Sequence, residues 1–244
     1  MTLRIAMWSG PRNLSTALMR SFGSRGDTAV SDEPFYGAYL QATGDPQPMA
    51  DQVIAAMDCD WDGVARSLSG PIPGGAPIWY QKHMAHHMVG PIARDDLPGL
   101  THAFLIRDPT RVVASYSAKR VAVRPEHLGT ARQRDYFERE ADRLGRAPPV
   151  VDSADILRHP EGTLRRLCGA LGIEWDPAML RWAPGLRATD GIWASHWYDA
   201  VAISTGFAAP DERPPALTAD ELAVADACRA DYETLARHAL RSPR

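Results

Sequence analysis

The sequence predicts an α/β fold in which a mostly parallel central sheet carries helices on both faces. Apolar runs of strand length alternate with segments whose apolar residues recur at helical spacing, which is the pattern of a parallel sheet. The chain has 244 residues, a length that suits one open α/β domain. No internal repeat is evident, and we therefore expect a single domain over residues 1–244.

The strands are predicted from apolar runs that are too short for helices. They lie at residues 3–8, 28–31, 77–81, 100–106 and 149–152. The first run is nearly continuous, as in a central strand buried on both faces, and Ser9-Gly10-Pro11 supplies the turn that ends it. Ligands bind at the carboxyl ends of the strands in such sheets, so a site is expected in the residues that follow these runs.

The helices are predicted from apolar residues that recur every three or four positions. These segments lie at residues 14–23, 109–117, 126–144, 160–171 and from Thr218 onwards. Pro109 suits the first turn of its helix, and Thr218-Ala219-Asp220-Glu221 is a capping box. Residues 36–76, with one helical patch around 49–57, and residues 180–215 are interpreted as excursions that form a cap or shape a pocket.

The composition excludes several classes of protein. Hydrophobic residues make up 45% and charged residues 23%, and the formal net charge is −3; a nucleic-acid binder would normally be strongly basic. No apolar run reaches the roughly 18 residues of a membrane span, and the apolar start is too short for a signal peptide. Three widely spaced cysteines suit a reducing compartment. We expect a cytoplasmic protein without nucleic-acid or membrane partners, and the oligomeric state, a homodimer included, stays open.

The segment after the first strand has the chemistry of an anion site. Main-chain N–H groups at a helix N-terminus favour negative charge, Arg12 adds a permanent cation, and Ser15 and Thr16 add hydroxyl donors. The segment lacks the second glycine and the lysine of a Walker A loop. A phosphotransferase that uses ATP is therefore the less favoured alternative.

A second anion site is predicted after the fourth strand. Arg107 stands at the end of this strand, and Ser115 follows eight residues later, about two helical turns away. An arginine and a serine at this spacing can clamp a phosphate. Two anion sites on neighbouring strand ends suit a ligand that carries phosphates at both ends.

These motifs resemble those of the sulfotransferase family that uses 3′-phosphoadenosine-5′-phosphosulfate (PAPS). Pro11-Arg12-Asn13-Leu14-Ser15-Thr16 is similar to the family loop that grips the 5′-phosphosulfate, and Arg107-Asp108-Pro109 with Ser115 is similar to the segment that grips the 3′-phosphate. Residues 150–173 resemble a further strand, acidic turn and helix of the family. The resemblance implies a three-layer P-loop-type fold, PAPS as the sulfuryl donor and no metal.

The resemblance also implies which residues bind the nucleotide. Family members have an Arg-Lys-Gly segment that lacks a counterpart here, and Ser204 and Thr205 are the candidates to replace it. Leu14 stands where the family loop usually has glycine, so a nucleotide-binding protein that has lost catalysis is a second alternative. The predicted nucleotide-binding residues are Pro11, Arg12, Asn13, Leu14, Ser15, Thr16, Arg107, Ser115, Ser204 and Thr205.

Sulfuryl transfer to an alcohol needs a base for the hydroxyl proton and a cation for the leaving phosphate. Glu33 follows the second strand, where glycan sulfotransferases of the family use a glutamate. His83 follows the third strand, where cytosolic members use a histidine, and both residues stay candidates for the base. Lys82, one of only two lysines beside 25 arginines, is the expected cation at the bridging oxygen.

Two further groups of residues have weaker interpretations. His83, His86 and His87 are spaced for one helical face, but no acidic ligand accompanies them, so a metal site is not expected. The aromatic cluster at residues 193–198 suits either a buried anchor for a lid or an acceptor pocket. The expected function is transfer of a sulfuryl group from PAPS to a hydroxyl or amine of a small-molecule acceptor.

Overall fold

A computed structural model describes residues 2–92, 97–120 and 122–241 and contains one parallel sheet. Its five strands are arranged in the order β2-β3-β1-β4-β5, and every pairing is parallel. The strands are β1 (Leu3–Ser9), β2 (Thr28–Asp32), β3 (Ile78–Met84), β4 (Leu100–Ile106) and β5 (Val150–Asp152). The predicted α/β class and all five predicted strands are confirmed.

Thirteen α-helices connect or cover these strands in the described part of the chain. The N-terminal ones are α1 (Ser15–Gly23), α2 (Tyr36–Thr43), α3 (Ala50–Ala56), α4 (Trp61–Ser69), α5 (Pro109–Ser117), α6 (Pro125–Leu128) and α7 (Thr130–Leu144). The C-terminal ones are α8 (Ser153–Arg158), α9 (Pro160–Leu171), α10 (Ala194–Trp197), α11 (Asp199–Ala202), α12 (Ala219–Ala227) and α13 (Arg229–Ala236).

The sheet has an apolar core on each face because side chains alternate along a strand. Ala6 and Trp8 of β1 belong to the core that includes residues of α4, α7 and α13. Ile5 and Met7 point the other way, into the core formed with α1 and α9. The three layers of helix, sheet and helix follow from this alternation.

Several segment predictions need correction. Residues 36–76 form three helices where one was predicted, and Val64 and Leu68 of α4 pack into the core on the sheet, so this helix is part of the layer and not a cap. The predicted helix at 126–144 is interrupted at Gly129, whose φ of 70° falls in the left-handed region that favours glycine. The capping box is confirmed, since Thr218 Oγ1 accepts from the Glu221 main-chain N–H at 3.3 Å.

The three cysteines are free thiols, of which Cys168 and Cys228 are buried and Cys59 is half-buried. Within residues 2–92, 97–120 and 122–241, no helix combines the length and the apolar character needed to cross a membrane.

Candidate active site

The turn between β1 and α1 has an unusual backbone and lines a cavity. Arg12 and Leu14 have φ values of 58° and 70°, in a region that residues with a side chain seldom adopt and that clusters at functional sites. Gly10 is required at the start of the turn, because a Cβ there would lie 2.5 Å from the Leu128 carbonyl oxygen. A glycine in place of Leu14 would adopt this φ without strain.

The two predicted anion sites are joined into one. Arg12 Nε donates to Ser115 Oγ at 3.0 Å, and Arg107 Nη1 donates to the Arg12 carbonyl oxygen at 2.7 Å. Ser115 was predicted to act beside Arg107, but in the structure its hydroxyl contacts Arg12. Burial removes water from both guanidinium groups and thereby lowers the pKa of Arg12 and of Arg107. A bound anion would compensate for the lost hydration of these cations.

Lys82 lies at the centre of a buried ionic cluster at the carboxyl ends of β2 and β3. Its side chain is fully buried, and Nζ donates to Glu33 Oε1 at 2.6 Å, Tyr198 OH at 2.6 Å, Asp32 Oδ1 at 2.9 Å and Thr16 Oγ1 at 3.1 Å. An ammonium has three protons for these four acceptors, and the contact with Thr16 is the longest. Lys82 therefore connects the predicted nucleotide loop with a predicted base.

Glu33 has the properties of a general base. Burial raises the pKa of its carboxyl group, the Lys82 ammonium opposes this rise, and the Asp32 carboxylate adds to it. Its φ of 44° makes Glu33 the third non-glycine residue of this cavity, after Arg12 and Leu14, in the left-handed region. The pKa of Lys82 is raised well above its usual value by Asp32 and Glu33 despite burial, so the ammonium stays charged.

His83 is not brought to the cavity, contrary to its candidacy as the base. Successive residues of β3 point to opposite faces, so Lys82 faces the cavity and His83 faces away from it. The His83 ring packs on Trp8 with 4.5 Å between centroids, and Nε2 lies 3.2 Å from Gln81 Oε1. Burial lowers the pKa of His83 to about 3.

Ser204 and Thr205 are separated by the structure. Ser204 is at the cavity wall, where its hydroxyl accepts from Trp182 Nε1 at 3.0 Å and donates to the Val201 carbonyl at 2.8 Å. Thr205 lines a shallow neighbouring depression with Trp182. Only Ser204 is therefore placed to meet a ligand in the cavity.

The cavity has a volume of about 340 Å³, which is within the range of small-molecule sites. One end holds the anion-binding groups and the other is lined by rings. In the cluster at 193–198, the rings of Trp193, Trp197 and Tyr198 pack into an apolar core and also line the cavity, and their role in an acceptor pocket stays a prediction. The aromatic residues at the wall are Tyr36, His86, His87, Tyr116, Trp193, Trp197, Tyr198 and Phe207.

Buried polar contacts join the segment 180–215 to Arg20 of α1 and Asp32 of β2. Arg20 forms a bidentate ion pair with Asp190, at 2.5 and 2.6 Å, and each side chain is 3% exposed. The Gly191 N–H donates to Asp32 Oδ2 at 3.2 Å, and Tyr198 OH donates to the same oxygen at 2.6 Å. The wall that this segment forms is therefore part of the same network as Lys82.

The sequence did not indicate a role for Asp32 or for the pair Arg20–Asp190, and it indicated His87 only within a disfavoured metal group and Tyr198 only within the aromatic cluster at 193–198. Asp32 offered a signal, because it ends a predicted strand beside Glu33. The contact of Tyr198 with Asp32 offered none, since the two residues are 166 positions apart in the sequence. In the described ranges no group of three or more His, Cys, Asp or Glu residues is arranged to hold a metal ion.

Comparisons with known proteins show the family of the chain and a similar fold. Residues 3–237 match the family model described as "Sulfotransferase domain". Two proteins of Arabidopsis thaliana, branched-chain-amino-acid aminotransferase-like proteins 2 and 1, are 32% and 35% identical to the chain over 234 and 213 residues. These matches cover 96% and 86% of the chain but 41% and 37% of the relatives, so the chain spans about two fifths of their length.

A solved structure supports the fold. The sulfotransferase domain from the curacin biosynthetic pathway has a TM-score of 0.53 to this chain and 15% sequence identity. The match covers 93% of this chain and 97% of that domain.

Proposed function

The chain belongs to the sulfotransferase domain family, and we propose that it transfers a sulfuryl group from PAPS to a hydroxyl or amine of a small molecule. The observation that carries the proposal is one cavity that holds Arg12, Arg107 and the buried Lys82–Glu33 pair. This arrangement supplies sites for two anionic groups, a cation at the point of bond cleavage and a base.

The donor is proposed to lie along the turn after β1. The N–H groups of the turn and the hydroxyls of Ser15 and Thr16 suit the 5′-phosphosulfate, because anions bind well at helix N-termini. Arg107 suits the 3′-phosphate, and Arg12 lies between the two groups with Ser115 as its partner. PAPS is chosen over ATP because the loop lacks the lysine of a Walker A motif.

The proposed reaction is a direct transfer. An acceptor oxygen forms a bond to sulfur while the bond from sulfur to the bridging oxygen breaks, and its electron pair remains on the 5′-phosphate of adenosine 3′,5′-bisphosphate. Glu33 takes the acceptor proton. Lys82, which lies 3.1 Å from Thr16 of the donor loop, stabilises the negative charge that develops on the leaving phosphate.

Calorimetry with the product nucleotide tests the donor site. We expect adenosine 3′,5′-bisphosphate to bind more tightly than adenosine 5′-phosphate by about tenfold or more, because the second phosphate has its own cation. Equal affinities would contradict the proposal. Tighter binding of ATP with Mg²⁺ would support the phosphotransferase, and bisphosphate binding without transfer to any acceptor would support a protein that has lost catalysis.

A further inference from the structure

His87 lies beside the proposed base Glu33, and the proposed transfer by Glu33 and Lys82 assigns it no role. Its ring is 2% exposed, lines the cavity, and places Nε2 3.9 Å from Glu33 Oε2. Its Nδ1 is buried and has no hydrogen-bond partner within the part of the chain that the structure describes. Buried polar atoms in folded proteins are nearly always paired, so an unpaired one calls for an explanation.

The His87 ring is held in one orientation. It stacks on Tyr36 and Tyr39, with centroid distances of 4.6 and 4.8 Å, and these two tyrosines lie three residues apart on α2, hence on one helix face. The short 3-10 helix at 85–87 packs against Gly129, where a Cβ would lie 2.6 Å from the His86 main-chain nitrogen. The ring is therefore positioned before any ligand binds.

The His87 ring is neutral and its proton is assigned to Nε2. Burial lowers the pKa of His87 well below 6.5, and His86, Lys82 and His83 add to this effect. A neutral imidazole has one N–H. Because a buried N–H without a partner is rarer than a buried lone pair without one, the unpaired Nδ1 carries the lone pair and the N–H faces Glu33.

We propose that His87 and Glu33 together hold the reacting oxygen of the acceptor, with Nε2–H donating to this oxygen and the oxygen donating its own proton to Glu33 Oε2. His87 Nε2 and Glu33 Oε2 are 3.9 Å apart. One acceptor oxygen can therefore lie at a hydrogen-bond distance of about 2.8 Å from each of them. This role rests on the proposed function and makes His87 an acceptor-binding residue, distinct from the base.

The electron count of the transfer is unchanged by this contact. The acceptor oxygen uses one lone pair to accept from His87 and the other to form the bond to sulfur, while its proton passes to Glu33. The leaving electron pair goes to the 5′-phosphate oxygen as before. His87 keeps its proton throughout and so orients the nucleophile.

The same geometry selects the class of acceptor. An alkylamine is protonated near neutral pH and has no lone pair to accept from Nε2–H, whereas a hydroxyl group has two. A protonated amine at this point would also lie beside the buried Lys82 ammonium, which pairs with Asp32 and Glu33, and the repulsion between like charges would oppose its binding. The structure therefore assigns an alcohol or a phenol in preference to an alkylamine.

The test uses the full chain, PAPS, and 4-nitrophenol as the acceptor probe, with hydrolysis of PAPS by water measured alongside. His87→Phe keeps a ring and removes the donor, and His87→Gln keeps an N–H donor near Nε2. We expect kcat/KM for the phenol to fall about tenfold or more in His87→Phe and to return to within about threefold of wild type in His87→Gln. His159, which is exposed and away from the cavity, supplies the control variant His159→Gln.

The affinity for adenosine 3′,5′-bisphosphate distinguishes a failure of the proposed function from a failure of the proposed role of His87. Unchanged affinity in all variants is expected. Wild-type protein that binds the bisphosphate but neither sulfates 4-nitrophenol nor hydrolyses PAPS would overturn the proposed function itself. An unchanged kcat/KM in His87→Phe would overturn the role of His87 and leave the proposed function standing. An equal loss of kcat/KM in His87→Phe and His87→Gln would do the same. Faster transfer to benzylamine than to 4-nitrophenol would overturn the choice of acceptor class.

Nitrogen NMR of the ligand-free protein tests the tautomer without any turnover. Protein labelled with ¹⁵N in its histidine rings is expected to show His87 neutral, with its proton on Nε2. A proton on Nδ1, or a charged ring at neutral pH, would overturn the assignment. The signal is identified by its loss in His87→Gln.

Discussion

Arg107 donates a hydrogen bond to the main-chain carbonyl oxygen of Arg12, with 2.7 Å between Nη1 and the oxygen. The contact is possible because β1 and β4 are neighbours in the sheet, so their carboxyl ends lie side by side. It supports the turn in which Arg12 has a positive φ, and it places two partly desolvated cations next to each other. The residues of the two predicted anion sites therefore form one continuous surface.

Replacing Arg107 with alanine should remove the preference for the bisphosphate. We expect the affinity for adenosine 3′,5′-bisphosphate to fall by about tenfold or more, or about 1.4 kcal/mol, and the affinity for adenosine 5′-phosphate to fall less. The measurement is calorimetry with both nucleotides. Arg165→Ala on the exposed face of α9 removes the same charge and should leave both affinities unchanged, and an equal loss in the two variants would rule out a specific contact.

Glu33→Gln should abolish transfer and spare nucleotide binding. The amide keeps the shape of the side chain but cannot take the acceptor proton, so we expect kcat to fall by about 100-fold or more. Turnover with PAPS and 4-nitrophenol is the measurement, and bisphosphate calorimetry shows whether the site remains intact. Glu161→Gln, on the exposed surface of α9, is the matched control. Full activity in Glu33→Gln would show that another group is the base.

The pH dependence of turnover should report the Glu33 carboxyl group. Burial raises the pKa of Glu33 above its usual 4.5, and only the ionised form accepts a proton. Activity is therefore expected to rise with pH through a pKa above 4.5, and this acid limb should be absent from the residual activity of Glu33→Gln. An acid limb that persists in Glu33→Gln would assign the titration to a different residue.

Lys82 should contribute to stability as well as to catalysis, and the two effects can be separated. Lys82→Met leaves Asp32 and Glu33 buried without their cation, for which we expect a loss of about 3–5 kcal/mol. Adding Asp32→Asn should restore part of the free energy of unfolding, because one buried carboxylate fewer is then unpaired, but should not restore turnover, and this double variant keeps Glu33 as the base. Denaturant unfolding and PAPS turnover are measured together; recovered turnover would exclude a catalytic role for Lys82.

The ion pair Arg20–Asp190 should stabilise the wall of the cavity. Both side chains are 3% exposed, so Asp190→Asn leaves a buried guanidinium short of its partner, and we expect a loss of about 3–5 kcal/mol in the free energy of unfolding. Asp211 pairs with Arg213 at the surface, where the two side chains are 57% and 87% exposed, and Asp211→Asn should leave the denaturation midpoint unchanged. Equal effects would mean that the buried pair does not fasten the segment.

The fold was predictable because its evidence is local. Apolar runs and helical spacing mark the elements along the chain, and proline, glycine and capping residues mark their ends. The prediction was weakest at residues 36–76, where prolines and glycines obscured α2 and α4. The apolar stripe of α4 that packs on the sheet lies within a single short helix, so tertiary packing supplies much of the stability that its local sequence lacks.

By itself, the sequence determined the order of strands and helices, and it indicated the predicted anion-binding segments after β1 and β4 and the short list of groups at strand ends. Strand alternation alone requires that Lys82 and His83 point to opposite faces, so only one of them can reach a given cavity. Only the tertiary structure decided which one does. It also decided that Tyr198 meets Lys82 and that His87 meets Glu33, because the packing of distant segments around the sheet edge, and not any local pattern, brings these side chains together.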